Sequence, residues 1–235
     1  MSSFGEYVDG RTIAIVGPAP VPYDQTAEID AHDIVYRTTY GHARGDRLIP
    51  GRFPAGTGTR VDMAFYNAGM TRRAQDGYLD DVYADLDWAV HKISPTYSSP
   101  ITNIRTANKP KAIHGKRVHP TQIPIMLWDL TFYSPVLVTV FGADFYLGSI
   151  ETWYDANYTP PEWIKGSPER PDPTEAMGPA FHDQELNRQI VRAVRDTVPW
   201  LAGDDRFLKA LDVPREVHEA AMLQQSLRYK SPLTV

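Results

Sequence analysis

A histidine beside acids at the start of a helix is a ready general base. His182 is followed by Asp183 and Glu185; its ordinary pKa lies near neutrality, and a neighbouring carboxylate can orient the ring. The same residues also suit plain helix capping, and both readings stand. A second group, Gly17-Pro-Ala-Pro20, follows the apolar run of residues 11–17, where nucleotide-binding folds bring bare backbone to a phosphate or ribose. Pro18 and Pro20 lack the N–H that a phosphate cradle uses, so a simple strand-to-loop turn is the competing reading. Gly142-Ala-Asp144 closes the clearest strand in the chain, residues 135–141, and is a third candidate. Asp85-Leu-Asp87 has the form of a carboxylate pair for a divalent cation, but it lies among Asp76, Asp80 and Asp81, which reads better as a solvated acidic face. His114 and His119 have no acid cluster to support them as ligands. No catalytic metal and no cofactor are expected.

These groups need an α/β framework to hold them. Residues 11–17, 34–38, 61–66 and 135–141 are short runs rich in β-branched or aromatic residues and bounded by turn formers, as buried strands are. Residues 88–93 extend either a helix or a strand, and a strand is favoured. Leu79, Val82, Tyr83 and Leu86 recur at helical spacing; residues 120–133 read as a buried helix opened by proline. Ile190, Val191 and Val194 give an amphipathic helix over residues 182–198, with Asp183 and Glu185 where the helix dipole favours acids. Residues 41–59, with five glycines and two prolines, predict a long loop or an excursion over the surface. A turn is expected at Asn67-Ala-Gly69 and a proline-rich loop or lid over residues 150–180. Residues 200–235 are expected to form a C-terminal helical appendage.

The 235 residues fit one α/β domain, residues 1–235, and are short for two. Twenty prolines point to many loops, and the absence of cysteine excludes disulfides and thiolate metal sites. Residues 1–10 lack a secretory pattern and no apolar stretch is long enough for a membrane span, so a cytoplasmic location is expected. The net charge of -5 weighs against non-specific nucleic-acid binding. A local basic patch of Arg105, Lys109, Lys111, Lys116 and Arg117 is the exception, and a solvated loop is its simpler reading.

In order, the segments resemble the sialyltransferase family and its bacterial and viral relatives. Ile15-Val-Gly17-Pro-Ala-Pro20 and Ala27-Glu-Ile-Asp-Ala-His-Asp-Ile-Val-Tyr-Arg37 are similar to the large sialyl motif, and the second string is the most specific match. Gly58-Thr-Arg-Val-Asp62 is similar to the G-x-R-x-D strand of bacterial relatives. Pro120-Thr-Gln122 with Val138-Thr-Val-Phe-Gly142-Ala-Asp-Phe-Tyr146 resembles the small sialyl motif, and His182 with Glu185 the final one. The matches span roughly residues 12–190. The chain departs from the pattern at Pro18 and at Thr38 or Thr39, where the family has asparagines, and at Ile123-Pro124, where the small motif has glycine. The spacing from His182 to Glu185 is also shorter than usual.

The resemblance implies a single-domain, GT-A-variant, Rossmann-like fold with a mainly parallel sheet flanked by helices. It implies a nucleotide-sugar donor, a CMP-sugar by preference, held by Gly17, Pro18, Ala19, Arg37, Thr38, Asn67, Thr121, Gln122, Gly142 and Asp144. His182 is the implied base, with Glu185 beside it, in an inverting transfer to an acceptor hydroxyl without a metal. The acceptor is a glycan, a lipid-linked sugar or a hydroxymethylated base in DNA. For DNA, the basic patch and the arginines between residues 44 and 60 carry the backbone. A non-catalytic nucleotide-binding protein of the same fold is the alternative that the departures favour.

Overall fold

A computed structural model describes residues 3–19, 21, 23–38, 40, 42–44, 47–49, 53, 55–74, 79–95, 102–110, 112–113, 116–117, 120–145, 147 and 183–230. In chain order the elements are α1 (Phe4–Val8), β1 (Thr12–Val16), α2 (Thr26–Asp30), β2 (Ile34–Arg37), β3 (His42–Arg44), β4 (Arg47–Ile49), β5 (Met63–Tyr66), α3 (Ala68–Ala74), α4 (Asp80–Tyr83), β6 (Trp88–His91), β7 (Asn103–Thr106), β8 (Ala112–Ile113), β9 (Lys116–Arg117), α5 (Gln122–Leu130), β10 (Leu137–Phe141), α6 (Gln184–Thr197), β11 (Leu201–Gly203), α7 (Asp205–Asp212) and α8 (Arg215–Lys230).

Seven strands form one sheet in the order β11-β10-β1-β2-β5-β6-β7, and every neighbouring pair is parallel. This is an α/β, Rossmann-like arrangement. The central strands are buried on both faces, which is why each reads as a nearly continuous apolar run. Side chains alternate between the faces. Ile13, Ile15, Ile34, Tyr36, Met63 and Phe65 share a core with Phe4 of α1, Ile125 and Leu127 of α5, and Val191 and Val194 of α6. On the other face, Ala14, Val16 and Val35 pack against Ile29 of α2, and Ala64 and Tyr66 against Val82 and Tyr83 of α4.

The chain moves outward from β1 through β2, β5, β6 and β7, then returns to β10 on the opposite side of β1. The strand order therefore reverses between β1 and β10, and open α/β sheets bind ligands beyond the carboxyl ends of the strands at such a point.

Four expectations need correction. Residues 41–59 are not all loop, because β3 and β4 pair as an antiparallel hairpin. Asn67-Ala-Gly69 opens α3 instead of a turn: Asn67 Oδ1 accepts the Met70 N–H at 3.0 Å, as a helix cap does. The helical spacing of Leu79 to Leu86 yields only the single turn of α4, and Leu79 precedes it. The segment from residue 200 is no appendage at its start, since β11 is the edge strand of the sheet and Phe207 and Leu211 of α7 lie in the main core. The expected lid, residues 150–180, lies outside the described residues. No helix among those described is long and apolar enough to cross a membrane.

Candidate functional site

At the reversal point the loops after β1 and β10 meet backbone to backbone. Gly17 N–H donates to Phe141 C=O at 2.8 Å and Ala19 N–H to Gly142 C=O at 3.1 Å. A Cβ on Gly17 would stand 2.2 Å from the Gly142 carbonyl oxygen and 3.2 Å from Ile123 Cδ1 of α5, so only glycine allows this approach. Gly142 takes φ +61°, the left-handed region that favours glycine. Its N–H is held by Asp204 Oδ2 at 3.0 Å. The expected residues Gly17, Pro18, Ala19 and Gly142 are thus brought together, with α5 alongside. Thr38 joins them, its N–H donating to Val16 C=O at 3.0 Å.

Thr121 and Gln122 begin α5, which makes no side-chain cap bond at its N-terminus. Thr121 N–H donates to Asn187 Oδ1 of α6 at 3.0 Å, so the starts of both helices meet at the carboxyl edge. Asn67 stands on the same edge, after β5. It is exposed, and its Oδ1 is committed to the α3 cap.

Three expected residues turn elsewhere. Arg37 is buried; it donates to Arg60 C=O at 2.9 Å and Thr57 C=O at 2.8 Å, and its guanidinium stacks on Phe53 at 3.9 Å. Asp144 is buried and paired with Arg206, which ties the β10 loop to α7. Glu185 is buried in an ion cluster, accepting from Arg188 Nη1 at 2.7 Å and Arg192 Nη1 at 3.4 Å. His218 of α8 faces the same carboxylate, with Nδ1 at 3.8 Å from Oε2, while its Nε2 lies 3.2 Å from Phe145 C=O. Burial pushes the pKa of His218 down and that of Arg188 down. Arg37, Asp144, Glu185, Arg188 and His218 are all buried against neighbouring chain. His182 lies outside the described residues.

Asp85 and Asp87 do not form a cation site. Asp85 Oδ2 accepts from Tyr40 OH and Asp87 Oδ2 from Tyr7 OH, each at 2.7 Å, and both precede β6, at the amino edge away from the reversal point. Among the described residues, no three histidine or acidic side chains converge as metal ligands. In the basic patch, Arg105 is bound by the buried Asp129 at 2.5 and 2.9 Å and lies over the Phe4 ring. It is not available to a nucleic-acid backbone. The side chains of Lys111, Lys116 and Arg117 lie outside the described residues.

The sequence reading missed Asn187, His91 and Lys92. Asn187 lies one helical turn after Asp183, a position that a helical wheel drawn from that cap would have flagged. His91 ends β6, buried between Thr71 Oγ1 at 2.8 Å and Tyr83 OH at 2.9 Å. Burial lowers its pKa to about 4. Thr71 Oγ1 donates onward to Asn67 C=O at 2.9 Å, so this network underlies the Asn67 turn. Lys92 follows at the carboxyl end of the same strand, and its Nζ donates to Pro120 C=O at 2.8 Å.

A comparison with protein-family models finds no match, and a comparison with curated proteins finds none either.

Proposed function

We propose that the protein is an inverting, metal-independent glycosyltransferase that moves a sugar from a nucleotide-sugar donor, a CMP-sugar, to an acceptor hydroxyl. The observation that supports this most is the meeting of Gly17, Pro18, Ala19 and Gly142 at the strand-order reversal, with Thr38 and the start of α5 beside them. Nucleotide ligands favour this place in open α/β sheets. In the reaction the acceptor oxygen attacks the anomeric carbon, its proton passes to His182, and the donor phosphate leaves with the electrons of the broken C–O bond. The roles of His182 and of CMP come from the sialyltransferase resemblance. Thr38, Asn67, Thr121 and Gln122 are the side chains assigned to the nucleotide, whereas Arg37 and Glu185 support the elements that carry them.

One observation favours a second reading, a non-catalytic nucleotide-binding protein of the same fold. Gly17 and Ala19 N–H are both bonded to the β10 segment and Pro18 has none, so the first loop offers few donors to a phosphate.

A thermal-shift panel of CMP, UDP, GDP, ADP and their sugars separates the readings. Binding to the native state alone adds about 2.7 kcal/mol of stability at a hundredfold excess over Kd. A CMP-selective shift together with sugar transfer is expected. His182→Ala is expected to keep the CMP shift and lose roughly 10²- to 10⁴-fold in turnover. Full turnover in that variant overturns the base assignment, CMP binding without transfer supports the second reading, and no shift with any nucleotide overturns both.

A further inference from the structure

The loop after β10 turns through two left-handed positions, Gly142 at φ +61° and Phe145 at φ +50°. Glycine takes that region freely, but a bulky aromatic residue is strained there. Among the described residues Phe145 is the one non-glycine residue with such a φ. Three contacts fasten the loop. Asp204 Oδ2 accepts the Gly142 N–H and Arg206 of α7 pairs with Asp144. The third comes from α8, where His218 Nε2 lies 3.2 Å from the Phe145 C=O, across 73 residues of chain. A carbonyl only accepts, so Nε2 carries the ring proton and Nδ1 keeps its lone pair. Nδ1 is buried and among the described residues meets no donor; the group it faces, Glu185 Oε2 at 3.8 Å, is itself an acceptor. A buried acceptor without a donor is costly. Strain at Phe145 and the unmet Nδ1 therefore fall at one contact. Such costs persist where the surrounding structure over-determines them, and they gather at ligand clamps.

We propose that His218 is a positioning residue that holds the β10 loop in its ligand-binding shape, so that docking of α8 and occupation of the reversal point support each other. The ligand part rests on the nucleotide reading of Gly17 and Gly142; the hold on the loop does not. The Phe145 ring lies in the main core, against Phe207 at 5.9 Å, which fixes the side chain, and the His218 bond fixes the carbonyl. Without that bond the carbonyl is free to rotate toward an unstrained backbone. The rotation passes back through Ala143 to Gly142, whose C=O accepts the Ala19 N–H. The helix α8 thus acts on the nucleotide's place through the loop. A change that lifts α8 loosens the loop, and a ligand that orders the loop tightens α8 by the same factor.

The test joins calorimetric titration with CMP to amide hydrogen exchange, both on the full chain. His218→Leu removes the N–H at similar size, and His218→Gln restores an amide N–H close to where Nε2 stands. The leucine variant is expected to bind CMP roughly tenfold more weakly, the scale of one lost hydrogen bond. Its amides 142–145 are expected to exchange faster, while those of β1 and β2 stay as protected as in the wild type. The glutamine variant is expected to match the wild type in both measurements. Unchanged CMP affinity in His218→Leu overturns the proposal, and so does unchanged loop exchange. A glutamine variant as weak as the leucine one also overturns it, since the packing of the ring and not its N–H then holds the loop. Reciprocity supplies a measurement on the wild type, which decides if His218→Leu does not fold. Saturating CMP is expected to slow exchange over residues 215–222 of α8 as well as 142–145, and protection of the loop alone overturns the coupling. Faster loop exchange in His218→Leu, restored in His218→Gln, with no CMP binding by the wild type upholds the hold on the loop and overturns the nucleotide reading.

Discussion

The amino and carboxyl edges of the sheet are both rich in polar side chains, but they use them differently. At the amino edge, Asp30 accepts from Thr59 N–H and Oγ1, Asp33 from Thr12 N–H and Oγ1, and Asp62 from Val35 N–H at 2.7 Å. Arg60 donates to the carbonyls of Asp30, His32 and Asp33. Each of these groups is tied to neighbouring chain. At the carboxyl edge, Lys92 and Lys109 each give one ammonium N–H to a backbone carbonyl, of the three that the group carries. The amino-edge residues fall within the Ala27-to-Arg37 string, the most specific match, and the Gly58-to-Asp62 string. A distinctive polar string therefore encodes how α2, β2 and β5 are joined.

Arg37 tests that division most severely, because it ends the specific string yet was expected to touch the donor. Two charge-assisted bonds to Thr57 and Arg60 carbonyls, at roughly 1.5–3 kcal/mol each, predict that Arg37→Met lowers unfolding free energy by about 4 kcal/mol. CMP affinity is expected to stay unchanged. Urea unfolding beside calorimetric titration decides it: a stable variant that no longer binds CMP would move Arg37 to the ligand side.

His91 sharpens the contrast from within the carboxyl edge, since it is titratable there and still structural. Its pKa falls from 6.5 to about 4 because burial disfavours the charged ring. The unfolded chain therefore binds the extra proton first. The stability contributed by neutral His91 is fully present above pH 6.5 and is lost as the pH falls toward 4. Over that window the loss is about 3 kcal/mol. In His91→Gln, whose amide can bond both Thr71 and Tyr83, the acid decline is expected to shrink by that amount; parallel curves for the two proteins would refute the assignment.

Physical signal strength explains what the sequence made legible. Strands β1, β2, β5, β6 and β10 are buried on both faces, so their apolar runs stand out. Asn103-Ile-Arg-Thr106 is an edge strand with only partly buried side chains and gives no such run. Leu201–Gly203 is three residues long, below any periodic signal. Gly17 and Gly142 were readable because glycine straight after a strand has few other uses. The Lys92 and Lys109 pair was not, because nothing joins those positions until β6 and β7 are known to be neighbours and α5 is seen to start beside them. Glu185 was misleading for a related reason. Its acid-at-helix-start signal is real, but Arg188, Arg192 and His218 converge on it only in three dimensions.

Asn67 lies on the boundary between the two uses, and its variants carry the smallest expected effect. Oδ1 caps α3 through Met70 N–H, while among the described residues Nδ2 meets no acceptor. Loss of such a cap costs about 1 kcal/mol, so Asn67→Ala is expected to destabilise by that much in thermal unfolding. Asn67→Asp keeps an oxygen for the cap and places a negative charge at the start of α3, which the helix dipole favours. It is therefore expected to retain stability. The aspartate, however, has no N–H to give a nucleotide. If Asn67 serves the ligand as well as the helix, the two variants separate: alanine weakens both stability and CMP binding, aspartate only the binding. If CMP affinity is the same in the wild type and both variants, Asn67 belongs wholly with the residues that join the elements.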